Sequence, residues 1–136
     1  VKTRVIVSAL INRGDSYLFL KQNKPGGAYP DCLHIPGGGL EEGENPEEAV
    51  RREVREEVGL DLQDVRVFDF DWDVVDYKGE RVQFVFLRFT AESVDGDAVA
   101  GSDAREVLWV PRELLGTQKH NEPSLRLLRR LGLLPV

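Results

Sequence analysis

Three glutamates, Glu53, Glu56 and Glu57, stand at i, i+3 and i+4, the spacing that gathers side chains on one face of a helix. Ala49 falls between them and Arg52 at the edge of the same face. Like charges so arranged repel by a few tenths of a kcal/mol per pair. A hard divalent cation would relieve that repulsion, since carboxylate oxygens suit Mg²⁺, with Mn²⁺ the alternative. An ordinary solvated acidic face is the competing reading. Just upstream, Pro36 is followed by Gly37, Gly38 and Gly39, and Gly43 precedes Glu44. Glycines let a backbone approach a ligand closely, although the same run could be a plain tight turn. The two features together say more than either alone.

The element that must carry the glutamates is well marked. Asn45 can cap a helix, Pro46 suits its first position, and Glu48 completes a capping-box pattern. Gly59 offers a left-handed stop, so the sequence predicts a helix over 46–58. Val50, Val54 and Val58 form its apolar stripe, while Glu48, Arg51 and Arg55 point to water.

Gly38, five residues, Glu44, seven residues, then Arg52-Glu53-Val54-Arg55-Glu56-Glu57-Val58-Gly59-Leu60 resembles the Nudix box at every fixed position. The resemblance implies an α/β fold, a Nudix-type α/β/α sandwich with a mixed β-sheet, with residues 1–136 as one domain. It implies hydrolysis of a pyrophosphate bond in a nucleoside diphosphate linked to another group. By the same resemblance Glu56 and Glu57 are metal ligands, Glu53 a ligand or the general base, and the Gly37 carbonyl a further ligand. Arg52 and Glu44 form an ion pair that orients loop on helix. Family members often recruit one more acid from a later loop, and Asp103 and Glu106 are the candidates. Gly38, Lys21 and Tyr29 are the candidates to touch substrate.

The chain's small size is similar to that of nucleoside triphosphate pyrophosphatases, which favours a nucleoside or deoxynucleoside triphosphate. A dinucleoside polyphosphate or an ADP-sugar is the alternative. Tyr77 stands near where diadenosine polyphosphate hydrolases often carry a tyrosine, whereas the proline of many ADP-ribose hydrolases is missing. A non-catalytic nucleotide sensor would typically have lost box carboxylates, and here all three are present.

Around the box the hydrophobic pattern predicts strands over 4–11 and 16–21 with an Asn12–Asp15 turn, and a short strand at 33–35. Residues 23–31, rich in proline and glycine, read as a loop. Its Tyr29 either stacks on a base or packs on the surface. His34 reads as structural, because hard cations prefer oxygen. Residues 65–75 alternate Val67, Asp69, Asp71, Asp73 with Phe68, Phe70, Trp72, Val74, a strand whose acidic face is solvated or frames the cleft. A turn at 77–80 leads to a strand over 81–91 with two apolar faces, hence central. After a polar stretch come a strand at 107–110, whose Trp109 reads as core, a short helix from Pro111 to Leu115, and a terminal helix over 123–131.

Net charge is −6 and no basic stripe is present, which argues against bulk nucleic-acid binding or an anionic membrane. The absence of a membrane-length apolar run, together with a lone Cys32, suggests a cytoplasmic protein, monomer or homodimer. Nothing pairs Cys32 with an activating base.

Overall fold

The structure is a computed structural model and describes residues 1–22, 27–101 and 104–136. Asp103, the first candidate for a late acid, lies outside the described residues.

Seven strands form one mixed sheet: β1 (Lys2–Arg13), β2 (Ser16–Gln22), β3 (Leu33–His34), β4 (Gly37–Gly39), β5 (Gln63–Tyr77), β6 (Glu80–Glu92) and β7 (Ala104–Pro111). The main path runs β3-β2-β1-β6-β5, with β4 paired to β1 and β7 to β2. Only β1 and β6 run parallel among these pairs. The glycine run is therefore not a loop. It is a strand, in register with Ile6, Val7 and Ser8 of β1. A side chain at Gly37 would overlap the Val7 carbonyl and the Ser8 Cα, so only glycine lets these backbones approach.

Two helices sandwich the sheet. Helix α1 (Pro46–Val58) presses Ala49, Val50, Val54 and Val58 onto Val7, Ala9 and Ile11 of β1 and Leu18 and Leu20 of β2. Ala49 thus belongs to the apolar stripe and not among the glutamates. Helix α2 (Glu122–Arg130) and a 3₁₀ helix (Arg112–Thr117) cover the other face, where Leu10, Phe19 and Leu33 meet Leu115, Leu127 and Leu128. Strand alternation sorts the two sets, since successive side chains leave opposite faces.

Strand β5 departs from its expected pattern. The ladder to β6 is irregular between Val67 and Asp69, so Val67 pairs with Phe89 while Asp69 meets Arg88. The acidic face is not solvated. Arg88, buried in the apolar run of β6, donates to Asp69, to Asp71 and to the Pro123 carbonyl. Arg126 and Arg130 of α2 reach the same aspartates, which ties the helix to the outer strand. Phe70 and Trp72, on the side expected to be buried, are 70% and 56% exposed. β5 is also the sheet's outer strand. The N–H groups of Trp72 and Val74 donate to the Asp71 and Asp73 carboxylates, and the Trp72 carbonyl accepts from Arg126.

Candidate active site

Asn45 accepts from the N–H groups of Glu47 and Glu48 and starts α1, and Gly59, at φ 72°, ends it. Glu48 makes no reciprocal bond to Asn45 among the described residues. Ala49, Val50 and Val54 fix the helix's rotation about its axis, so Arg52, Glu53, Glu56 and Glu57 emerge along the flank beside β4.

Arg52 is the hub of that flank. Its Nε and Nη2 donate to the two oxygens of Glu44 at 2.7 and 3.0 Å, a bidentate pair. Nη1 donates to Glu53 Oε1 at 2.9 Å and to Glu56 at 3.3 Å, and Nη2 to the Gly39 carbonyl at 3.4 Å. The Glu44 bond raises the Arg52 pKa and lowers that of Glu44. Glu53 behaves differently. Burial raises its pKa and outweighs the guanidinium beside it. Its Oε2 faces Gly38, where any added Cβ would overlap the carboxylate. Glu57 turns to the start of the strand, its Oε1 accepting from the Gly37 N–H at 2.7 Å.

The structure therefore brings Glu44, Arg52, Glu53 and Glu56 together, with Glu57 at Gly37. It does not gather three carboxylates into one metal-holding cluster among the described residues. Arg52 neutralises Glu53 and Glu56 in this arrangement, and Glu57 spends an oxygen on a backbone N–H. The donor set nevertheless fits a hard cation, being all carboxylate oxygen beside a side-chain-free backbone.

A family model described as the NUDIX domain matches residues 2–131. The chain belongs to the Nudix family. It is 33% identical to the nucleoside triphosphatase NudI of Enterobacter sp. (strain 638), over 98% of this chain and all of that one. Identity and coverage are the same for the NudI of Escherichia coli O81 (strain ED1a). A MutT NUDIX hydrolase from Burkholderia pseudomallei shares the fold with a TM-score of 0.81, at 23% identity, over 95% of this chain and 98% of that one. A NUDIX hydrolase from Nitrosomonas europaea does so with a TM-score of 0.74, at 22% identity, over 95% and 87%. The protein is a Nudix pyrophosphohydrolase.

Other candidates lie outside this Nudix flank. Glu106 is on β7 and faces Lys21 of β2 at 3.7 Å, so each partners the other. The Tyr29 hydroxyl donates to Asp73 Oδ2 at 2.8 Å, and its ring is tilted against His34 at 6.1 Å. Burial, with Asp73 beside it, pushes the Tyr29 pKa far up. His34 Nε2 lies 3.1 Å from the Tyr29 carbonyl, and burial lowers its pKa. Cys32 is a half-buried free thiol. Trp109 is half-buried against the α1 core, with the Arg13 guanidinium 4.7 Å from its ring centre. No helix among the described residues is long and apolar enough to cross a membrane.

Proposed function

We propose that this Nudix enzyme hydrolyses a pyrophosphate bond of a nucleoside or deoxynucleoside triphosphate, with Mg²⁺ (or Mn²⁺) held by Glu56 and Glu57 and with Glu53, the other role its position allows, as the general base. The observation that carries the reading is the carboxylate flank of α1 standing against the bare Gly37–Gly39 backbone. The triphosphatase relatives, aligned over nearly the whole chain, support the substrate class.

Each residue has a part. Bound Mg²⁺ supplies charge neutralisation of the phosphates and a more acidic water. Gly37 lets β4 pack against the β1 backbone, and Gly38 leaves room for the Glu53 carboxylate beside the strand. Arg52, fixed by Glu44, sets the orientation of Glu53 and Glu56. Glu53 Oε2 is the atom that takes the proton of the attacking water. Burial raises the Glu53 pKa, which favours taking up that proton.

A substrate panel tests this. Nucleoside and deoxynucleoside triphosphates, dinucleoside polyphosphates and ADP-sugars are incubated with Mg²⁺, and released phosphate, pyrophosphate and monophosphate are followed. Turnover of a triphosphate in preference to the others is expected. Preference for a dinucleoside polyphosphate or an ADP-sugar would overturn the substrate assignment, and undiminished turnover in EDTA would overturn the metal.

A further inference from the structure

Helix α1 packs on β1 and β4, and α2 reaches β5 from the opposite side of the sheet. The α1 side of β5 is left open. Val67, Phe70 and Trp72 lie on that side, paired in the ladder with Phe89, Leu87 and Val85 of β6. Phe89 belongs to the α1 core and Leu87 packs against it, which fixes the side. Val67, Phe70 and Trp72 are exposed, whereas Val85 and Leu87 are half-buried. The core of the sheet thus runs out into water as one apolar strip. Strands β1 and β6 separate this strip from Gly38 and the carboxylate beside it.

The size of the strip and the chemistry of its ends say what covers it. A large aromatic carries about 150–250 Å², so with Phe70 and Trp72 70% and 56% exposed the strip offers roughly 400 Å² of apolar surface. That is the scale of an interface core, about half of the roughly 800 Å² that each partner buries in a stable complex, the rest being polar rim. The ends supply the rim. Asp64 is paired with Arg66 at one end and Asp76 with Arg81 at the other, all with exposed side chains. An antiparallel arrangement of two β5 strands about Asp71 sets Phe70 across from Trp72. It also brings the Asp64–Arg66 end of one copy to the Asp76–Arg81 end of the other, acid to base. Arg66 then meets Asp76 twice, once at each end, as two-fold symmetry requires. Both ends are neutral pairs, which gives nucleic acid or a charged peptide no net attraction. The N–H groups of Trp72 and Val74 are already engaged by Asp71 and Asp73, so two copies meet by their faces and not by adding strand to strand.

We propose that the α1 side of β5, centred on Phe70 and Trp72, is the interface of a two-fold homodimer in which the two β5 strands run antiparallel.

Sedimentation equilibrium over a range of protein concentrations tests it. The proteins are wild type, Phe70→Glu, Arg66→Glu, Asp76→Arg and the double variant Arg66→Glu/Asp76→Arg. All three positions are exposed, and melting temperature in dilute solution checks each fold. Wild type is expected to be a dimer with a micromolar dissociation constant, and Phe70→Glu a folded monomer. Each single charge reversal should weaken the dimer by on the order of tenfold, since the altered pair occurs twice, and the double reversal should restore most of that loss. Wild type that stays monomeric at the highest concentration, or Phe70→Glu that stays dimeric, would overturn the proposal. Assembly beyond the dimer would do the same, because the contact would not close on itself. Single reversals that weaken the dimer without recovery in the double variant would overturn the antiparallel arrangement. In a Trp109→Phe background Trp72 is the only indole, and its emission should move to the blue as the dimer forms. Unchanged emission across the transition would put the interface elsewhere and overturn the proposal.

Discussion

Arg88 donates through Nε and Nη2 to the two oxygens of Asp69, at 2.8 and 2.9 Å, while only 2% of the arginine is exposed. Asp71 accepts from the same Nη2 at 3.0 Å and is itself buried. Two acids and one base thus share a dry seam between β5, β6 and α2, and each depends on the others for its charge to be tolerable.

Replacing Arg88 by methionine keeps much of the bulk and removes the buried guanidinium from both aspartates, leaving Arg126, Arg130 and the Trp72 N–H to answer them among the described residues. A loss of about 3 kcal/mol in unfolding free energy is expected, the scale seen when one partner of a buried pair is removed. Urea unfolding reads it from the midpoint at constant slope. A loss below about 1 kcal/mol would mean that the seam is wetter than the geometry indicates.

Adjacent glycines should fail in different ways. At Gly37 an added methyl meets backbone atoms of β1, which cannot yield without breaking the pairing. At Gly38 the nearest atoms are those of the Glu53 carboxylate, the far end of a side chain that can swing aside. Gly37→Ala should therefore lower the melting temperature by several degrees, about 1 kcal/mol or more of stability. Gly38→Ala should keep the melting temperature and lose turnover, by roughly a hundredfold if Glu53 is the base. Equal melting losses in the two variants would contradict the opposite surroundings.

Glu57→Gln tests the metal flank. Turnover with Mg²⁺ should fall by roughly two to four orders of magnitude, the scale lost with metal or general-base function. Glu48→Gln, on an exposed position of the same helix, should cost little turnover. Comparable kcat at saturating substrate in both variants and wild type would remove Glu57 from the reaction.

Acid should weaken the fold through a buried histidine. His120 is buried against Phe19, its Nε2 2.8 Å from the Leu115 carbonyl and its Nδ1 without a partner among the described residues. Burial lowers its pKa, so the native state refuses a proton that the unfolded chain accepts. Stability from this source is complete above the unfolded value of about 6.5 and declines as pH falls below it. His34 shifts in the same direction. Asp71, whose folded pKa is lowered, loses its contribution only below the carboxylate range of about 4. The melting temperature should drop between pH 7.5 and 5.5, and drop less in His120→Gln. Parallel curves for the two proteins would refute the assignment.

Most of the carboxylate flank could be read along the chain because it is local. Cap, stripe and glutamates all lie within one helix and its two ends, where spacing alone decides which side chains share a face. What escaped depended on distant pairings. The glycine run reads as a loop until β1 is set beside it, and nothing within the run itself announces a strand. Asp69 and Asp71 read as solvated because alternation marks a face without saying what covers it. The available signal was Arg88, a charge inside an otherwise apolar strand, which needed an acidic neighbour.

The capped outer edge of β5 bears on self-association. Exposed aromatics on a long outer strand are the usual seed of edge-to-edge aggregation, where one molecule's unused N–H and C=O groups recruit the next. Here Asp71, Asp73 and Arg126 have already engaged such groups around Trp72 and Val74. A second strand arriving beside Trp72 meets carboxylates and a guanidinium where it needs bare backbone. Asp71 and Arg126, which fasten α2 to the sheet, thus also occupy backbone groups of the edge beside Trp72, and Asp73 does so at Val74.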